Sequence, residues 1–341
     1  MRSEGATKGI RKASGSGDSM TRMTSPTVDD VQRMLSGGPG LWLASGEPQE
    51  LHPGIGVVLE TSGSTGTPQR VMLTREQLVA AARANREYFG WDATWHLALP
   101  SHYVAGLMVL VRGVLGTGVR VCSSDLTDAA PAPGRNCLSI VPTQLIRALD
   151  QRLPLDGFNA VLVGGAPLCQ DVRARAEDAG VRVVETYGMS ETCGGVVYDG
   201  VPLPGVEVAI ERGLIRLSGP MVTGGSLLTK DRGEWADGRL RVLGRADDIV
   251  ITGGLKADLA AVRAAVTALD ADAWVLAVDE DEWGQRIVLF ATGGTLDQWR
   301  ARLRPALPKH ALPRQLCVVD ELPRTPGGKP DREKLLRWLA Q

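Results

Sequence analysis

Hydrophobic positions along the chain fall into two rhythms that change past Gly205. From Gly56 onward, short β-branched runs alternate with stretches of helical spacing: Val57-Val58-Leu59, a helix from Thr74, Trp95 to Leu99, a helix near Tyr103, and Val119-Arg120-Val121. The series continues with Leu138 to Val141, a helix at Thr143, Ala160 to Val163, a helix at Gln170 and Val181 to Val184. That alternation predicts βαβ units and a mostly parallel sheet. Thr74 and Gln77 have capping-box spacing, and Leu73 is placed to staple onto the helix they start. Past Gly205 the period shortens to two, through Val206, Val208 and Ile210, Leu214 and Leu217, then Leu240 and Val242, which predicts antiparallel strands. Beyond Arg245 a further segment predicts strands at Trp274 to Val278 and Ile287 to Phe290, with helices at Leu259, Thr295 and Arg332. The expected fold is therefore α/β. Its large N-terminal domain, 26–244, has mostly parallel sheets and an antiparallel closing portion, and a small α+β domain follows over 245–341.

Composition narrows the function classes. The chain has 341 residues, 43% hydrophobic and 23% charged, enough for a sizeable core and two domains. A net charge of −1 with scattered basic residues gives no footprint for nucleic acid or an anionic membrane. The longest apolar run, Tyr103 to Leu115, is too short to span a bilayer and is interrupted by Arg112, so it reads as a buried helix. Cys122, Cys137, Cys169, Cys193 and Cys317 are an odd number without a C-x-x-C pair, which argues against a disulfide framework and a zinc site and for a reducing, cytoplasmic setting. Residues 1–25, rich in Ser, Gly, Thr and basic side chains, read as a disordered leader, with Met20 or Met23 as alternative starts.

Two segments carry candidate chemistry on their own. After Val57-Val58-Leu59 comes Thr61-Ser62-Gly63-Ser64-Thr65-Gly66-Thr67-Pro68, then the capped helix. Glycines let backbone N–H groups approach an anion and the hydroxyls add donors, the makings of a phosphate cradle; an ordinary Ser/Gly surface loop has the same composition. It lacks the G-x-x-x-x-G-K-[ST] pattern of a P-loop. Further on, Tyr187-Gly188-Met189-Ser190-Glu191-Thr192 puts a carboxylate and two hydroxyls on a glycine-containing turn, which suits Mg²⁺ bridging phosphate oxygens or, equally, a solvated turn.

In sequence order, these segments resemble the AMP-forming acyl-CoA ligase, luciferase and peptide-synthetase adenylation superfamily. The resemblance implies that Thr61, Ser62, Gly63, Ser64, Thr65, Gly66 and Thr67 hold ATP phosphates, although Gln69 and Arg70 replace the usual Lys-Gly that follows. It implies Glu191 as a catalytic residue and the Mg²⁺ ligand, Tyr187 with Gly188 and Met189 against adenine, and Thr192 as a catalytic site hydroxyl. Thr229-Lys230-Asp231 resembles the stretch ending in the ribose-binding aspartate, with Lys230 where glycine is usual. Gly244-Arg245-Ala246-Asp247 resembles the interdomain hinge, with Arg245 toward the nucleotide, Asp247 as the pivot and Lys256 beyond the following glycines. Leu322 to Arg332, containing Gly327-Gly328-Lys329, resembles the terminal signature whose lysine is catalytic. A mobile lysine there neutralises charge at the α-phosphate.

A finer resemblance, carried by Tyr187 to Leu203, Leu99 to Gly106 and Leu162 to Leu168, is to the o-succinylbenzoate-CoA ligase branch of menaquinone biosynthesis, with a shortened N-terminal portion. It implies ATP, Mg²⁺ and coenzyme A as partners and an acyl-adenylate intermediate, and it admits a homodimer. For a substrate with an aryl ring and two carboxylates, Gly164 and Gly165 offer bare backbone, and Ser190, Thr192, Gly194 and Gly195 offer donors; His102 matches the pocket histidine. Three alternatives stay open: a ligase for another aryl or fatty acid, an enzyme loading a carrier protein, and a non-catalytic adenylate-binding protein. A Rossmann oxidoreductase is set aside, since Val163-Gly164-Gly165 lacks G-x-G-x-x-G spacing.

Overall fold

The computed structural model describes residues 20–22, 25–50, 54–61, 69–280, 284–324 and 330–339. The first sheet holds β1 (Met20–Arg22), β2 (Gly40–Leu43), β3 (Ile55–Thr61) and β4 (Gln69–Thr74) in that order, with α1 (Val28–Leu35) between β1 and β2. β1, β2 and β3 run parallel, and β4 returns antiparallel to β3 with Thr61 opposite Gln69. This corrects the sequence expectation at one point. The Ser/Gly/Thr segment joins two strands of a hairpin and does not run into a helix. β4 escapes the pattern because only Val71 and Leu73 of its six residues are buried.

A seven-stranded sheet follows, built from β5 (Thr94–Leu97), β6 (Gly118–Val121), β7 (Asn136–Ile140), β8 (Ala160–Gly164), β9 (Val183–Met189), β10 (Gly194–Tyr198) and β11 (Val201–Pro202). Its order is β11-β10-β9-β8-β7-β5-β6, parallel from β9 to β6. The expected parallel sheet is thus two sheets, with β3 in one and β5 in the other. Helices α2 (Arg75–Phe89), α3 (Val104–Leu115), α4 (Pro142–Asp150) and α5 (Gln170–Asp178) connect the strands. Cys137, Ala160 and Leu162 pack with Leu78, Leu107 and Val111 on one face. Leu138, Ile140, Val161 and Val163 pack with Leu145, Val172 and Ala176 on the other. Burial on both faces explains why these strands read as continuous apolar runs. The capping box is present as expected: Gln77 N–H donates to Thr74 Oγ1 at 3.1 Å and Thr74 N–H donates to Gln77 Oε1 at 2.8 Å.

The two-residue rhythm forms a four-stranded antiparallel sheet: β12 (Glu207–Glu211), β13 (Leu214–Ser218), β14 (Ser226–Ala236) and β15 (Arg239–Arg245). Ile215 and Leu217 turn into the same core as the first two sheets. The last sheet contains β16 (Ile249–Thr252), β17 (Leu255–Asp258), β18 (Trp274–Glu280), β19 (Gly284–Ala291) and β20 (Gln315–Val318), in the order β17-β16-β19-β18 with β20 also on β19. Helices α6 (Leu259–Leu269) and α7 (Leu296–Leu303) cover Val275, Ile287 and Leu289, while Leu335 of α8 (Arg332–Leu339) packs on Leu276, Val288 and Phe290. Asp272 Oδ1 accepts from Arg147 of α4 at 2.8 Å and from Arg324 at 2.9 Å, so one carboxylate ties this sheet to the seven-stranded one. Among the described residues no helix is long and apolar enough to cross a membrane.

Candidate active site

Gly164, Gly165, Tyr187 to Glu191 and the turn bearing His102 leave the carboxyl ends of parallel strands β8, β9 and β5, the edge where open α/β sheets bind ligands. Gly164 lies opposite Thr186 in the β8–β9 ladder, and a Cβ added there would meet Thr186 Oγ1 at 2.3 Å, so β8 and β9 approach closely only without a side chain. Gly165 is exposed in the left-handed region, at φ +83°. His102 is half-buried, and its Nδ1 has no hydrogen-bond partner among the described residues. Burial lowers its pKa, which keeps the imidazole neutral near pH 7. The ring packs at 4.2 Å from that of Tyr103.

At the end of β9 the chain makes a single 3₁₀ turn, Ser190–Thr192, reverses at Cys193 with φ 53°, and returns as β10. Thr192, expected as a site hydroxyl, is instead turned inward and fully buried. Its Oγ1 accepts from Met189 N–H at 2.9 Å and lies 3.0 Å from Met189 O and 2.7 Å from Gly194 O. A buried hydroxyl must find backbone partners, and here those partners close the turn. Gly194 and Gly195, expected as amide donors, sit opposite Met189 and Gly188 in the β9–β10 ladder, with Gly194 buried. A Cβ on Gly188 would come within 1.9 Å of Gly194 O, so that glycine is required for strand approach. Ser190 remains half-buried at the edge.

The turn presents Glu191, half-buried and without a hydrogen-bond or ion-pair partner among the described residues. β4, the strand leaving the Ser/Gly/Thr segment, packs against this turn, so two distant motifs become neighbours. Thr61 Oγ1 donates to Gln69 O at 3.2 Å and closes the base of the hairpin. Ser62, Gly63, Ser64, Thr65, Gly66 and Thr67 lie outside the described residues, as does Lys329. Arg70, which with Gln69 replaces the usual Lys-Gly, donates to Ser45 O at 3.0 Å and lies 4.9 Å over the Trp42 ring.

The antiparallel sheet supplies the other wall. Tyr187 Oη donates to Asp231 Oδ2 at 2.7 Å, linking β9 to β14. Burial, reinforced by the Asp231 carboxylate, raises the phenol pKa well above its usual value, so the proton stays on. Asp231 N–H donates to Thr229 Oγ1 at 3.1 Å, and Thr229 Oγ1 donates to Ile215 O at 2.8 Å. The sequence reading gave Thr229 no role, although its place two residues before Asp231 is the spacing of such a turn. Arg245 is opposite Asp231 in the β14–β15 ladder, with Nη1 3.8 Å from Asp231 Oδ1. Its Nε and Nη2 bind Asp247 in a fork at 2.7 and 2.9 Å. That bond raises the Arg245 pKa and holds Asp247 below the usual carboxylate range. Lys256, grouped with these residues in the sequence reading, is exposed on β17, where its carbonyl meets His310 Nε2 at 3.0 Å.

Among the described residues no three His, Cys, Asp or Glu side chains gather into a metal cluster. A carboxylate without a partner among the described residues fits Mg²⁺, which is held by one or two carboxylates together with substrate phosphates.

A model of the AMP-binding enzyme family matches residues 26–225, and one of the AMP-binding enzyme C-terminal domain matches 268–329. The chain is 37% identical over 331 residues to a probable 2-succinylbenzoate–CoA ligase of Mycobacterium tuberculosis, covering 86% of each chain. It is 27% identical over 338 residues to the 2-succinylbenzoate–CoA ligase of Enterococcus faecalis, covering 83% of this chain and 69% of that one. In fold it is similar to the o-succinylbenzoate CoA synthetase of Bacillus subtilis in complex with its acyl-adenylate intermediate, with a TM-score of 0.72 at 22% identity over 91% of this chain and 81% of the other.

Proposed function

Because this chain belongs to the AMP-binding enzyme family, we propose that it ligates 2-succinylbenzoate to coenzyme A with ATP, giving 2-succinylbenzoyl-CoA, AMP and pyrophosphate in menaquinone biosynthesis. The observation that carries the nucleotide site is the bond from Tyr187 to Asp231, which joins two signature segments at one wall. The acid rests on the Mycobacterium tuberculosis relative.

In the first step a carboxylate oxygen of the acid forms a bond to the α-phosphorus of ATP and pyrophosphate leaves. In the second, the sulfur of CoA bonds to the acyl carbon, AMP departs with the bond's electron pair, and the thiol proton passes to solvent. Tyr187 lies against the base, Asp231 accepts from the ribose hydroxyls, and Arg245 supplies positive charge nearby. Glu191 would hold Mg²⁺, whose charge, when bound, offsets that of the phosphates. The resemblance assigns Lys329 to the α-phosphate in the first step. Gly164 and Gly165 let the aryl ring lie on backbone, and neutral His102 with Ser190 faces the carboxylate that does not react. The division at residue 245, with Asp247 as pivot, belongs to the same reading, as does a cytoplasmic setting, supported by five free cysteines.

The test is mass spectrometry of purified chain with ATP, Mg²⁺, CoA and 2-succinylbenzoate, run beside benzoate, salicylate and a fatty acid. AMP and thioester are expected with 2-succinylbenzoate far ahead of the panel. Equal rates across the panel would remove the acid assignment, and nucleotide binding without any product would remove the ligase.

A further inference from the structure

We propose that the Tyr187 hydroxyl is a positioning group through which Asp231 distinguishes ribose from 2′-deoxyribose, an inference that rests on the nucleotide site described above. Asp231 is held from several sides. Its backbone N–H is fixed on Thr229 Oγ1 at 3.1 Å, and that hydroxyl is anchored on Ile215 O at 2.8 Å. One carboxylate oxygen takes the phenol O–H at 2.7 Å. The other faces Arg245 Nη1 at 3.8 Å, beyond hydrogen-bond length. The Asp231 side chain is 13% exposed, so little of it is open to solvent.

Each carboxylate oxygen accepts more than one hydrogen bond, so the phenol leaves lone pairs on both for a vicinal diol. A diol donates to both oxygens only if the carboxylate plane is fixed. The Arg245 guanidinium competes for that plane. Its fork onto Asp247 at 2.7 and 2.9 Å leaves Nη1 pointing toward Asp231 without closing on it. Without the phenol O–H, Arg245 Nη1 at 3.8 Å is a donor within reach of the carboxylate, and a small rotation brings it to hydrogen-bond length. The carboxylate then turns away from the sugar. Tyr187 acts through Asp231, so its hydroxyl matters to a ligand with two sugar hydroxyls and little to one with a single hydroxyl.

Calorimetric titration of the full chain with AMP and 2′-deoxyAMP tests this in the wild type, Tyr187→Phe, Asp231→Asn and the double variant. Wild type should prefer AMP. Tyr187→Phe should reduce that preference about tenfold, a change of about 1.4 kcal/mol, Asp231→Asn should do the same or more, and the double variant should fall no further than Asp231→Asn. In acid-dependent pyrophosphate exchange, the KM for ATP should rise about tenfold in Tyr187→Phe while kcat stays within about twofold. Undiminished preference in Tyr187→Phe, or equal weakening of both nucleotides, overturns the proposal and leaves the ligase reading intact. Absence of exchange with any acid, with the binding preference shifted as expected, removes the ligase reading and supports this one.

Discussion

Glu191 is the residue whose setting most directly dictates a test. A carboxylate without partners among the described residues, set on a tight turn, is held ready for something outside the protein, and Glu191→Gln keeps its volume while removing its charge. Exchange should fall on the order of 10²-fold, with the deficit eased as Mg²⁺ is raised in a steady-state titration. His96 shows the opposite case, a titratable side chain wholly committed inside. Asn136 donates through Nδ2 to Ala132 O and Gly134 O, so its Oδ1 accepts from His96 Nε2 at 2.9 Å, and His96 Nδ1 is left facing the Cys122 thiol at 3.6 Å. Burial lowers the His96 pKa from 6.5, only partly offset by the Asn136 bond. The unfolded chain therefore binds the proton first as pH falls, and the stability that neutral His96 contributes above pH 6.5 is lost below it. Urea midpoints at about pH 7.5 and 5.5 should separate in the wild type and converge in His96→Gln. Residue types at fixed spacing singled out Tyr187, Glu191 and Asp231, and the structure joins the first to the last by a hydrogen bond. Thr192 was not, because a sequence names a hydroxyl without telling whether it faces ligand or backbone.

Among the elements, α2 announced itself most completely. Its capping box satisfies two backbone donors, so Thr74→Ala should lower unfolding free energy by about 1 kcal/mol, measured by urea denaturation, whereas Thr74→Ser should be nearly neutral. Strands buried on both faces, β7 and β8, were equally legible from apolar content. The half-exposed strands β16 and β17 were not. β16 and β17 place Ile251 and Leu255 at 52% and 54% exposure beside the Gly253-Gly254 turn, so their apolar residues do not mark a buried face. β10 was concealed within a stretch read for its chemistry, Gly194-Gly195-Val196-Val197-Tyr198. α1 escaped although Asp30 Oδ2 accepts from Thr27 N–H at 3.0 Å, a capping pair at 27 and 30 that the sequence analysis did not weigh.

On the scale of the whole molecule, order in the sequence and order in space diverge. Signature segments scattered from Thr61 to Arg245 converge, while Lys256 stands on a separate sheet and Lys329 lies outside the described residues. The reading that two arrangements of the C-terminal part serve two half-reactions predicts a split outcome for Lys329→Ala. Pyrophosphate exchange should drop by about 10²-fold or more, while thioester formation from supplied acyl-adenylate stays within a few fold, as followed by rapid-quench chromatography. Equal loss in both would refute two arrangements. The hairpin between β3 and β4 bears on the protein's history. Its two ends are paired at Thr61 and Gln69, outside the intervening segment 62–68. Lengthening such a segment disturbs folding little, about 0.6 kcal/mol for each doubling. An insertion between Thr61 and Gln69 can therefore pass through this protein's history without unfolding it.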